Sequence, residues 1–197
     1  MTISDWLFPF IALATAATSG GASAADAPQV ELKTNVGTIR LELYPDKAPI
    51  TVENFLKYVQ DGFYDGTIFH RVIVNFMVQG GGLDRNYSEK KTRAPIRNEA
   101  EQALKAGLKN EIGTIAMARK PDPNSATAQF FINTNDNTFL NAGARDAGYT
   151  VFGKVVSGLD IIGNISNMPT GAGGPFPRDV PREMVIIEKA TVVPPKK

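Results

Sequence analysis

The chain has 197 residues, 43% hydrophobic and 21% charged, a balance that fits one globular domain and excludes a disordered or collagen-like polypeptide. Its formal charge is +1 and its basic runs are no longer than two residues, as at Lys90-Lys91, so nothing resembles a surface for tracking phosphates and nucleic acid is not an expected partner. With no cysteine and one histidine, His70, disulfide frameworks, thiol catalysis, Cys-based zinc sites and multi-His metal centres are all excluded, and no metal or other cofactor is expected.

Residues Trp6–Thr18 carry no charge and lead into small residues ending in Ala22-Ser23-Ala24, the pattern of a cleaved export signal. The stretch is shorter than the roughly 20 apolar residues that span a bilayer as a helix, so no permanent membrane anchor is expected. The preceding Met1–Asp5 lacks the usual positive charge, and the competing reading is a frayed arm on a cytosolic protein. The expected division is therefore a signal over residues 1–24 and a single domain over 25–197.

From Val30 to Leu43 the residues Val30, Leu32, Ile39, Leu41 and Leu43 alternate with Glu31, Lys33, Arg40 and Glu42, which predicts a half-buried antiparallel hairpin. Val52, Phe55, Leu56 and Val59 then recur at helical spacing between Thr51, a candidate cap, and Asp61-Gly62, a stop. Short strand signals follow at 67–73, 76–79, 114–118, 128–133, 149–156 and 184–192, with a second short helix predicted over 158–165. The polar stretch Leu83–Asn110, with Glu99 and Glu101, reads as a solvated surface loop, and so does the Gly/Pro-rich stretch 169–181. Many short strands with two helices point to an all-β sandwich or barrel.

Gly80-Gly81-Gly82 is not followed by the Lys-Ser/Thr of a phosphate cradle, so a turn is the expected structure there. Phe130 and Phe131 are neighbours in a strand and must face opposite ways; Phe130 with Ile132 is assigned to the interior and Phe131 with Gln129 to an outer face. By the same alternation His70 points away from Arg71 and reads as structural.

The segments FHRVIVNFMVQGGG, MARKPDPNSATAQFFI and YTVFGKV, in this order and spacing, resemble the cyclophilin family of peptidyl-prolyl cis-trans isomerases from about Val30 to Val192. The resemblance implies a mainly β fold, a closed eight-stranded antiparallel barrel capped by two helices, acting as a monomer with its substrate groove on the outer face. It implies that Arg71 is catalytic, that Phe76, Met77, Phe131 and Leu140 hold the proline ring, and that Gln79, Ala118, Arg119 and Gln129 line the groove, Arg119 through its backbone. Phe139 stands where well-known eukaryotic members carry Trp and Tyr149 where they carry His, as in exported bacterial cyclophilins. The missing indole N–H implies that cyclosporin binds weakly. Proline-containing polypeptides are the implied partners and the periplasm the implied location. The rival readings are a non-catalytic proline-peptide binder or holdase on the same fold, and a peptide hydrolase, for which no nucleophile, base or metal set is visible.

Overall fold

The structure, a computed structural model, describes residues 27–143 and 146–194. The export-signal expectation for residues 1–24 lies outside the described residues, as does the end of the tail from residue 195. Among the described residues no helix is long and apolar enough to cross a membrane.

Strands β1 (Gln29–Thr34) and β2 (Gly37–Leu43) form the first hairpin, and all five alternating apolar residues, Val30 to Leu43, are fully buried. Helix α1 (Pro49–Gln60) begins before Thr51, because proline has no N–H to leave unpaired in a first turn and its fixed φ suits that position. Thr51 therefore does not cap the helix; its N–H and hydroxyl donate to the carboxylate of Glu99, at 2.8 and 2.7 Å. The chain continues through β3 (Thr67–Ile73), β4 (Met77–Asp84), α2 (Ala100–Lys105), β5 (Thr114–Met117), β6 (Phe130–Asn133) and a 3₁₀ turn at Thr138–Leu140. It ends with β7 (Val151–Ser157), α3 (Leu159–Ser166), a small hairpin of β8 (Thr170–Gly173) and β9 (Phe176–Pro181), and β10 (Ile187–Val193).

Eight strands form one antiparallel sheet in the order β10-β1-β2-β7-β5-β6-β4-β3. The expected closed barrel is corrected to a curled sheet whose edges no hydrogen-bonded ladder joins. Between β3 and the start of β10 there is an isolated bridge of Ile68 with Ile186, flanked by bonds from Phe69 N–H to Val185 O and from Gly66 N–H to Ile187 O. The register of β3 against β4 shifts twice between Thr67 and Arg71, and the other flank of β3 is covered by β9 through the stacking of Phe176 on His70.

Three further expectations are corrected. α2 makes a third α-helix inside the stretch read as a loop, and the β8–β9 hairpin occupies the other predicted loop. Gly80-Gly81-Gly82 lies within β4, where a Cβ on Gly81 would stand 2.6 Å from the Phe130 ring and one on Gly82 2.4 Å from the Gln129 side chain. The glycines permit close packing across the sheet instead of making a turn.

The parity of the sheet separates two apolar clusters. Val72, Val78, Ile132 and Ile115 face the interior with Phe55, Phe130 and Phe152, while Met77, Ala116, Phe131 and Val151 form a separate patch on the outer face.

Candidate active site on the outer face of the sheet

Strand register builds the site. Arg71 on β3 pairs with Gln79 on β4, Gln79 with Phe131 on β6, and Phe131 with Ala116 on β5, so four side chains from four strands lie in one row on one face. Met77 joins them two residues before Gln79. Arg71 is exposed, and its Nη1 donates a long bond of 3.4 Å to Gln79 Oε1. Gln79 Nε2 in turn donates to Gln129 Oε1 at 3.0 Å, over the space that Gly82 leaves free.

Beside this row lies a hollow of about 190 Å³, and every residue lining it belongs to the set expected from the sequence: Arg71, Phe76, Met77, Gln79, Ala118, Arg119, Phe131, Leu140 and Tyr149. Its volume is below the 300–1,000 Å³ of pockets that bury drug-sized ligands and suits a single ring. Phe131 and Met77 form the buried floor, at 4% and 2% exposure. Of the expected set only Gln129 and Phe139 stand outside it. Gln129 borders a neighbouring hollow of about 510 Å³ rimmed by Lys90, Lys91, Arg93 and Lys120. Phe139 stands at the rim, 71% exposed and stacked on Phe76 with ring centres 5.7 Å apart.

The Arg119 side chain is tied into the wall of the hollow. It is only 5% exposed, its Nε donates to Gly148 O at 3.1 Å, its Nη2 pairs with Asp146 at 2.5 Å, and its guanidinium lies 4.5 Å from the centre of the Tyr149 ring. The guanidinium thus braces the wall that carries Tyr149, whose ring meets Phe131 edge-on. His70 is buried and stacked on Phe176. Its Nδ1 has no hydrogen-bond partner, and burial, reinforced by the Arg71 charge, pushes its pKa down to about 4, so it is neutral at pH 7.

Glu99, expected on a solvated rim, is instead buried at the N-terminus of α1, where it accepts from the N–H groups of Ile50 and Thr51. Glu101 is solvated as expected, paired with Lys105 along α2. A second group went unnoticed: Asn110, Asn133 and Asn137 are buried behind the hollow. The asparagine-rich run from Asn133 to Asn141 was the available signal, since such residues gather where backbone groups need side-chain partners.

No carboxylate or imidazole lines the hollow, and among the described residues no group of three or more His, Asp or Glu could hold a metal ion. An apolar hollow with a fixed cation at its edge can seat a ring and aim N–H donors at atoms beside it.

Comparison with known proteins agrees with this chemistry. The family model for cyclophilin-type peptidyl-prolyl cis-trans isomerases matches residues 29–192. A peptidyl-prolyl cis-trans isomerase of Acinetobacter baylyi is 56% identical over 158 residues, which cover 80% of this chain and 81% of that protein. Peptidyl-prolyl cis-trans isomerase B of Escherichia coli K12 is 51% identical over 166 residues, covering 83% and 98%. Among solved structures, a Cryptosporidium parvum cyclophilin crystallised in the presence of the dipeptide Ala-Pro superposes with a TM-score of 0.70 at 27% identity, over 84% of this chain and 99% of that one. By the family model over most of its length and by relatives at about 50% identity, the chain belongs to the cyclophilin-type peptidyl-prolyl cis-trans isomerases, enzymes that rotate the amide bond preceding proline.

Proposed function

We propose that Arg71 is the catalytic residue of this isomerase, that the 190 Å³ hollow holds the proline ring, and that the substrates are proline-containing segments of exported proteins folding in the periplasm. The observation that carries the reading is the cross-strand row that sets the Arg71 guanidinium at the edge of an apolar hollow. Rotation about X-Pro breaks amide resonance against a barrier of about 18–20 kcal/mol and neither makes nor cleaves a bond. As the amide twists, the proline nitrogen recovers its lone pair and becomes a better acceptor. A donor aimed at it therefore binds the transition state more tightly than the ground state. The guanidinium stays charged at any working pH and has N–H groups to spare for the adjacent carbonyl. Phe76, Met77, Phe131 and Leu140 hold the ring while the acyl side turns, and Gln79, tied to Gln129, steadies the guanidinium from one side.

Exchange NMR on a peptide with one X-Pro bond tests the catalytic part. Substoichiometric protein should bring cis and trans signals into exchange, whereas binding without exchange would mark a proline-peptide binder or holdase. The location rests on the Trp6–Thr18 stretch and the Ala22-Ser23-Ala24 site. Mass spectrometry of fractionated native cells should find an N-terminus at Ala25 or Asp26 in the periplasm; intact Met1 in the cytoplasm would overturn it.

A further inference from the structure

Leu140, one wall of the hollow, is partly buried and packs against the outer apolar patch of Met77, Ala116, Phe131 and Val151. The 3₁₀ turn Thr138–Leu140 buries none of its own residues, and Phe139 faces solvent. A set of amides beneath it also ties this segment to the sheet. Asn137 Nδ2 donates to the Phe76 carbonyl and to Asn133 Oδ1, both at 2.8 Å, and its N–H donates to the Asn110 carbonyl at 2.8 Å. Asn133 Nδ2 donates to Asn110 Oδ1 at 3.2 Å and to Thr114 Oγ1 at 2.9 Å. Asn110 closes the set: its N–H and Nδ2 both donate to Asn141 Oδ1, at 2.8 and 3.1 Å, and Nδ2 also donates to the Tyr149 carbonyl at 3.3 Å. The turn itself links Leu140 N–H to Asn137 O and Tyr149 N–H to Leu140 O.

We propose that this asparagine network positions three walls of the proline pocket, those of Phe76, Leu140 and Tyr149, and so sets the affinity for the proline ring, with Asn141 as a positioning residue. The Phe76 and Tyr149 carbonyls accept from network amides and Leu140 N–H donates to the backbone carbonyl of Asn137, so the amides link the segments that carry the three walls. A fully satisfied buried network fixes a single arrangement, because every alternative leaves a buried donor or acceptor unpaired. Wall spacing acts on the bound ring in ground and transition state alike, so it governs binding and leaves turnover of the bound complex to Arg71. The proposal rests on the reading that the hollow seats proline.

Asn141 gives a test at the level of atoms, because its side chain serves the network only as an oxygen acceptor. Asn141→Ala should weaken binding of an X-Pro peptide about fivefold while turnover at saturation stays within about twofold. Asn141→Asp keeps the oxygen and should bind like wild type. Asn35→Ala is the control: it also removes two side-chain amide bonds, one donated to Met184 O and one accepted from Ile186 N–H, but in the β1–β2 turn, and should leave affinity unchanged. Should the alanine variant not fold, Asn141→Ser, whose oxygen falls short of Asn110, carries the same expectation. NMR titration and exchange on one peptide give affinity and turnover together. Wild-type affinity in Asn141→Ala, or a loss in Asn141→Asp equal to that in the alanine variant, would overturn the proposal. Wild-type protein that neither binds nor turns over the peptide would instead overturn the reading of the hollow.

Discussion

Replacing Glu99 with alanine removes the only side-chain acceptor shown at the start of α1, whose N-cap residue Ala48 has none to offer. Glu99 is 2% exposed and takes three bonds, from Ile50 N–H at 3.1 Å, Thr51 N–H at 2.8 Å and the Thr51 hydroxyl at 2.7 Å. A buried donor left without a partner costs about 1–3 kcal/mol, and loss of a helix cap alone about 1 kcal/mol. Water entering the space left by the side chain offsets part of this, so Glu99→Ala should lose about 3–5 kcal/mol of stability. For a protein of this size that corresponds to a fall in Tm of about 6–20 °C. Glu99→Gln retains one oxygen for the two backbone groups but not the negative charge at the helix N-terminus, and should fall between the two. Urea unfolding followed by circular dichroism measures all three proteins. A Glu99→Ala protein within about 1 kcal/mol of wild type would refute the cap and the argument built on it.

Two other outcomes are expected. The folded pKa of His70 is depressed to about 4 from an ordinary 6.5, so between these values the unfolded chain binds more protons and stability falls as the pH drops. The loss should approach roughly 3 kcal/mol below pH 4 and be absent from His70→Gln, as urea midpoints from pH 7 to 4 would show; parallel curves for the two proteins would contradict it. Phe139 lies exposed at the rim, so Phe139→Trp adds an N–H donor and aromatic area where a ligand can reach them, and should bind cyclosporin more tightly than wild type by isothermal titration. Equal affinity would remove the basis for the expected weakness.

Alternation was the most informative property of the sequence. Period two assigned Phe130 to the interior and Phe131 to the outer face and put the five apolar residues of the first hairpin inside, as the structure has them; at His70 a register shift in β3 breaks the period. The candidate residues were legible because they sit in long motifs, with Arg71, Met77, Gln79 and Phe131 on regular strands. Their distribution around the hollow was not. That Phe139 rises to the rim and that Arg119 spends its side chain on Gly148 and Asp146 depend on irregular backbone, which has no period. Glu99 was misread because a buried carboxylate and a solvated one look alike in a polar run; its partners lie 48 and 49 residues away. α2 has six residues, too few for a helical period to register, and the strands of the β8–β9 hairpin are interrupted by glycine and proline. Closure was an implication of the family resemblance, and the strand count, which agreed with it, says nothing of whether the two edge strands share a register.

The central claim, that Arg71 acts on the twisted amide and the hollow on the ring, is tested most directly by measuring affinity and turnover for one X-Pro peptide in Arg71→Ala and Phe131→Ala proteins shown to be folded. Arg71→Ala should turn over the bound peptide at least about a hundredfold more slowly, about 2.7 kcal/mol of transition-state stabilisation, while its affinity changes by less than about threefold. Arg71→Lys keeps the charge without the planar fork and should remain much slower than wild type. Phe131→Ala removes apolar contact from ground and transition states together, so its affinity and kcat/KM should fall in step. An Arg71→Ala protein that isomerises the peptide at the wild-type rate would contradict the account.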